Sequence, residues 1–216
     1  MPVYNRQHTV GKAIQSVLDQ TYPHFEFIIV DDASTDETAQ VVQSFKDERI
    51  KYIVHPNRKG AAAARNTGIR EAQGKWIAFQ DSDDVWHSTK LEKQVRVASN
   101  AVAAQESPLP IIYTSFVRMK DGKEEIIPPE DHRPKHGHIK TSLMLGNFIS
   151  TQTVMLPKDH LDMVGGFAEE MPRFQDWELW LRLSAHFPFY WIKEPLVQVN
   201  YSKESISSDQ QKLVQA

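Results

Sequence analysis

Residues 25–38 read FEFIIVDDASTDET, and this stretch decides the fold. Residues 25–30 form an apolar run of strand length, which suits a strand covered on both faces. Two carboxylates follow, Asp31 and Asp32. Ser34-Thr35-Asp36-Glu37 then fits a capping box, predicting a helix through about Phe45. Upstream, Val10, Ala13, Ile14, Val17 and Leu18 stand at helical spacing, and the helix they imply stops near Tyr22-Pro23. Downstream, residues 50–54 read as a strand, the alanine-rich 60–72 as a helix ending at Gly74, and 76–79 as a third strand. Thr89 and Glu92 fit a second capping box, opening a helix to about Ala98. Alternating strands and helices imply an α/β fold: a Rossmann-like, mostly parallel sheet flanked by helices. Ligands of such sheets gather beyond the strands' carboxyl ends.

After Ala98 the rhythm changes. Residues 111–119 predict a strand turning at Asp121-Gly122 into a partner near 125–127, and 128–138 (PPEDHRPKHGH) have no hydrophobic period and read as a loop. A helix at 139–145, a strand at 151–156, a helix at 175–186 and strands at 189–192 and 196–201 complete one domain, with 1–98 and 99–216 as its halves.

With 216 residues, 40% hydrophobic and 25% charged, the chain has an ordinary globular composition. No apolar run approaches the roughly 20 residues that span a bilayer, and the opening lacks a signal-peptide pattern, so a cytoplasmic protein is expected. The absence of cysteine excludes disulfides, thiolate metal sites and a cysteine nucleophile. A net charge of −3 gives no reason to expect nucleic acid as a partner.

The second acidic cluster is FQDSDDVW at 79–86, with Asp81, Asp83 and Asp84 crowded after an apolar strand. Two such charges about 4 Å apart repel by about 4 kcal/mol at an effective dielectric of about 20. A solvated acidic turn is one reading. The other is a site for Mg²⁺ or Mn²⁺, which prefer oxygen ligands and usually take one or two carboxylates with substrate phosphates.

PVYNR at 2–6, SVLDQTYPHFEFIIVDDASTDET at 16–38, AARNTGI at 63–69, GKWIAFQDSDDVW at 74–86 and QDWELWLRL at 175–183 together resemble family 2 glycosyltransferases of the GT-A fold, of the bacterial cell-envelope polysaccharide type. The resemblance runs over nearly the whole chain. It implies a nucleotide-sugar-binding first half and an acceptor-side second half with a small antiparallel portion. Pro2 and the backbone around Tyr4 would border the nucleotide base, and Asp32 would accept a hydrogen bond from uracil, with Asp31 beside it. Asp81 and Asp83 would form the DxD, the first facing ribose or phosphates and the last holding Mn²⁺ or Mg²⁺, with Asp84 an alternative ligand. Arg65 and Asn66 would touch the sugar or diphosphate.

Asp176 would be the general base of an inverting transfer. Many relatives carry Glu-Asp where this chain has Gln175-Asp176. Asp176 also has a structural reading, because a carboxylate is favoured at a helix N-terminus, and Trp177 and Trp180 read as core. His132, His136 and His138 offer a rival zinc site, or their loop a lid over the acceptor. Near the C-terminus Lys203 and Ser205 stand where some relatives place a histidine. Because the sequence opens at Met1, the strand before Tyr4 is expected to be a truncated stub that leaves a neighbour's edge exposed: either the natural start lies upstream, or this form is weakened and compensated by homo-oligomeric association.

The function so implied is transfer of a sugar from a nucleotide sugar, a UDP-sugar above all, to a glycan or lipid-linked acceptor hydroxyl, with peripheral association at the inner membrane face. Two rivals differ in chemistry. A sugar-1-phosphate nucleotidyltransferase would want a glycine-rich loop that MPVYNRQHTVGK lacks. A non-catalytic nucleotide-sugar-binding protein would bind without releasing product.

Overall fold

The structure, a computed structural model, describes residues 1–120, 123–129 and 136–200. In chain order the elements are β1 (Pro2–Val3), α1 (Val10–Leu18), β2 (Phe27–Asp31), α2 (Thr38–Ser44), β3 (Ile50–Val54), α3 (Ala61–Glu71), β4 (Trp76–Ala78), β5 (Val85–Trp86), α4 (Lys90–Ala103), β6 (Ile111–Lys120), β7 (Lys123–Ile127), α5 (Lys140–Leu145), a 3-10 turn (Thr151–Thr153), β8 (Val154–Pro157), α6 (Lys158–Val164), α7 (Gln175–Ser184) and β9 (Phe189–Val199).

The α/β class stands, with its parallel pairing concentrated on one side. β1, β2 and β3 form a three-stranded parallel sheet, in which Phe27 faces Ile50 and Asp31 faces Val54. The second sheet runs β4-β8-β6-β9-β5 with β7 alongside β6, and in it only β6 and β9 pair in parallel. Among the described residues β1 pairs with β2 alone, so the two sheets do not join through it there. Between β2 and β4 lies a cavity of about 870 Å³ lined by Phe27, Ile28, Ile77, Phe79, Leu91 and Ala98.

Two large clusters form the core, and the one under the first sheet also takes in Trp86, Phe116 and Val197 of the second. Val10, Ile14 and Val17 of α1 pack with Ile29 and Val42 on the first, while Tyr113, Leu156, Leu179, Trp180 and Phe189 fill the second. Burying each such large side chain contributes about 1.5–3 kcal/mol. Trp180 is fully buried and its indole N–H donates to the Ile149 carbonyl at 3.1 Å, so it belongs to the core as expected.

Several local expectations are corrected. The capping box at 34–37 does not form, and α2 begins only at Thr38. Its residues are claimed by the 5–7 loop instead: Ser34 Oγ accepts from Asn5 N at 3.1 Å, Asp36 from Gln7 N at 3.2 Å, and Glu37 N donates to Gln7 Oε1 at 2.9 Å. The second box also fails as a box, although its helix starts where expected. Glu92 accepts from Thr21 Oγ1 at 2.6 Å, and α4 runs on to Ala103 rather than ending near Ala98. The two strands expected after residue 189 are one, β9, whose pairing with β6 shifts register around Ser115 and Pro195. α6 and β5 had no clear sequence signal. The turn at Asp121-Gly122, His132, Lys203 and Ser205 lie outside the described residues.

Candidate active site

Both acidic turns sit at the carboxyl ends of their strands. In the first, Asp31 Oδ1 accepts from Ser34 N at 2.8 Å and its Oδ2 from the Tyr52 hydroxyl at 2.5 Å. Burial and this bond both push the Tyr52 phenol up from its ordinary value. Asp32 is 3% exposed and accepts from Lys59 N at 2.8 Å and Gly60 N at 2.7 Å, with His55 Nδ1 at 2.8 Å. The loop before α3 is thereby tied down onto the end of β2. Tyr4 lies on the same edge with the Arg58 guanidinium 4.0 Å over its ring, and Pro2 pairs in register with Val30.

The second turn is held differently. Arg65, from α3, donates to Asp81 Oδ1 at 2.6 Å, while Arg6 faces Asp83 across a loose 3.9 Å ion pair. Arg65 Nε is buried without a hydrogen-bond partner, a donor left over. Burial raises Asp83 above the usual carboxylate range, and neighbouring Asp81 adds to it. Asp84 is 3% exposed and both its oxygens are taken, Oδ1 by Asn200 N at 2.8 Å and Oδ2 by Gln152 Nε2 at 2.5 Å. Burial, reinforced by Asp81, still pushes its pKa to about 8.

Asp176 lies in the first turn of α7, after Phe174 in a left-handed conformation (φ 58°). Burial raises its pKa, against the opposing effects of the Trp177 backbone N–H, the Arg65 charge and a 3.0 Å bond from Asn147 Nδ2. Arg65 and Asp81 are thus within electrostatic reach of Asp176, although about 100 residues separate them in sequence.

Asn66 is placed elsewhere. Its amide accepts from Phe167 N at 2.9 Å and donates to Phe167 O at 2.9 Å and Glu169 at 2.8 Å, joining α3 to the segment before α7. A Cβ on Gly166 would come within 2.7 Å of Asn66 Oδ1, so glycine is required for this approach. Trp177, half-buried, donates to the Leu143 carbonyl at 2.6 Å. His136 accepts from Trp191 N at 3.2 Å. Sequence reasoning did not single out Arg6, Tyr52, His55, Asn147, Gln152 or Asn200, and no local pattern marks them.

A divalent cation would find only oxygen donors here. Among the described residues no three acidic or imidazole side chains converge as a ready ligand set. Yet Mg²⁺ and Mn²⁺ ordinarily take one or two carboxylates and complete their shell with phosphate and water. Asp83, whose carboxylate is crowded and held only loosely, fits that pattern, with Asp81 beside it. Asp84 has both oxygens committed.

The fold with this edge defines a GT-A protein. S. aureus TarS 1-349, solved in complex with UDP, superposes with a TM-score of 0.74 at 19% identity, covering 94% of this chain and 60% of that one. The mannosyltransferase PcManGT from Pyrobaculum calidifontis, solved with GDP-Man and Mn²⁺, gives 0.67 at 21% identity over 99% of this chain and 59% of its own. The glycosyl transferase family 2 model matches residues 1–152, and the chain belongs to that family. Bacillus subtilis TuaG, named as a teichuronic acid biosynthesis glycosyltransferase, is 34% identical over 98% of this chain and 81% of its own length. Escherichia coli WfgD, a UDP-Glc:alpha-D-GlcNAc-diphosphoundecaprenol beta-1,3-glucosyltransferase, is 50% identical over 95 residues, which make up 44% of this chain and 38% of its own. The chain therefore spans 38% of WfgD and about three fifths of each solved neighbour. No helix among the described residues is long and apolar enough to cross a membrane.

Proposed function

We propose that this chain carries out inverting, metal-dependent transfer of a sugar from a UDP-sugar to an acceptor hydroxyl in cell-envelope glycan synthesis. The observation that carries the reading is the Arg65–Asp81 ion pair, whose two charges also act on Asp176, with Asp83 beside Asp81. Residues 1–98 serve as the donor half and 99–216 as the acceptor half of a single domain. UDP and UDP-GlcNAc complexes of TarS support the donor class, and TuaG and WfgD support an envelope glycan as destination.

Pro2 and Tyr4 border the base, Asp32 accepts an N–H from it, and Asp31, bonded to Ser34 N and Tyr52, holds the turn between them. Asp83 would hold Mn²⁺ or Mg²⁺, assisted by Asp81. When bound, that ion would supply Lewis-acid neutralisation of charge on the diphosphate. Arg65 turns its unpartnered Nε toward a diphosphate or sugar oxygen. Asp176 removes the proton from the acceptor hydroxyl as that oxygen attacks the anomeric carbon from the side opposite the leaving diphosphate. Its raised pKa makes it a stronger base than an ordinary exposed aspartate. A lipid-linked acceptor like that of WfgD would bring the protein to the inner face of the membrane.

Calorimetry with UDP in the presence and absence of Mn²⁺ tests the donor site. Metal-dependent UDP binding is expected, and its absence from a folded sample refutes the assignment.

A further inference from the structure

Asp32 already accepts hydrogen bonds from Lys59 N, Gly60 N and His55. A carboxylate offers about four acceptor positions, so one remains on Oδ2, which so far takes only Gly60 N. The Asp32 carboxylate can only accept, so the His55 ring carries a proton on Nδ1 and points it at Oδ1. Behind the ring, Thr67 Oγ1 lies 3.0 Å from His55 Nε2 and accepts from Arg70 Nη2 at 2.9 Å. His55 is 6% exposed and directly follows β3, while Thr67 and Arg70 belong to α3. Three side chains thus line up behind a single carboxylate.

We propose that His55, oriented by Thr67 and Arg70, is a positioning residue that turns the free lone pair of Asp32 toward the nucleobase and so selects a base presenting a ring N–H. Uracil presents one. Cytosine presents a ring lone pair at the same position, which would face the Asp32 acceptor without a proton between them. The inference rests on the UDP-sugar reading above and adds the residues that set its base selectivity. The Lys59 and Gly60 amides alone satisfy the loop, so the His55 contact is the one the side chains supply for orientation.

Calorimetry in Mn²⁺ with UDP, CDP and inorganic diphosphate, on the full chain and on His55→Leu, His55→Asn and Thr67→Val, tests this. In His55→Leu the UDP affinity should fall about tenfold, the effect of one hydrogen bond to a charged group. CDP and diphosphate affinities should hold, so the preference for UDP over CDP narrows by the same factor. His55→Asn, which retains an N–H near Nδ1, should recover most of the loss, and Thr67→Val should show about a threefold narrowing. An unchanged UDP-to-CDP ratio, or an equal loss for all three titrants, overturns the role. Should His55→Leu fail to fold, Thr67→Val decides alone, and an unchanged ratio there overturns it equally. A wild-type chain that binds no UDP would strike the donor assignment and this inference together, whereas a flat ratio in a UDP-binding chain strikes His55 only.

Discussion

The turns at Asp31-Asp32 and at Asp81–Asp84 look alike in sequence, each an apolar strand running into carboxylates, and the folded protein treats them oppositely. Five donors converge on the first pair: Ser34 N, the Tyr52 hydroxyl, His55, Lys59 N and Gly60 N. In the second, Asp81 is held by Arg65 and Asp84 by Asn200 N and Gln152, Asp83 faces Arg6 across a loose 3.9 Å ion pair, and burial drives Asp83 and Asp84 upward together. The first turn is a structural hub with one acceptor position to spare. The second buries its carboxylates at raised pKa, a cost of ionisation that a cation can relieve.

The largest expected effect lies across from the second turn. Asp176→Asn should lower transfer by about 10²- to 10⁴-fold, the usual range for a general base, with UDP binding unchanged. Near-normal turnover in that variant refutes the role.

Asp83→Asn sharpens the contrast from the charge itself. Mn²⁺-dependent UDP affinity should drop by about 10- to 100-fold, while the melting temperature in metal-free buffer should hold or rise, because a crowded buried charge is removed. Unaltered metal dependence would shift the ligand role away from Asp83.

Asp32→Ala probes the hub. Its three buried donors lose their acceptor at about 1–3 kcal/mol each, about 3–9 kcal/mol together, so the melting temperature should fall by at least about 6 °C. An Asp32→Ala protein as stable as the wild type would erase the distinction between the two turns.

The smallest effect is on pH. Asp176 has its folded pKa above its unfolded value, so the native state binds the extra proton. Any stability it contributes is present at acid pH and declines as pH rises from about 4 toward its folded value. Asp176→Asn should therefore melt higher than wild type at neutral pH and match it near pH 3. Transfer by the wild type should rise along an acid limb displaced above pH ~4, because the base works only when ionised. A limb at the ordinary aspartate position would contradict the burial of Asp176.

Elements set by nearest neighbours were legible from sequence. α1, with its apolar face at Val10, Ile14 and Val17, and β2, apolar on both sides, follow the expected boundaries to within a few residues. Boundaries set by distant partners were not. Ser34 and Glu37 make a good capping box locally, yet Asn5 and Gln7, about 30 residues upstream, take their hydrogen bonds. Asn66 looked like a donor contact, but its amide is spent on Phe167 and Glu169, about 100 residues away.

By itself the sequence determined the strand-acid-helix rhythm, the placement of both acidic turns at strand ends and the position of Asp176 at the start of a helix, because periodicity and turn chemistry act within a few residues. Only the tertiary structure decided which carboxylates are satisfied and which are left crowded. Hydrogen-bond partners and burial come from segments brought together by folding, and they separate Asp32, held by His55 and the 59–60 amides, from Asp83, held by little more than Arg6 at 3.9 Å.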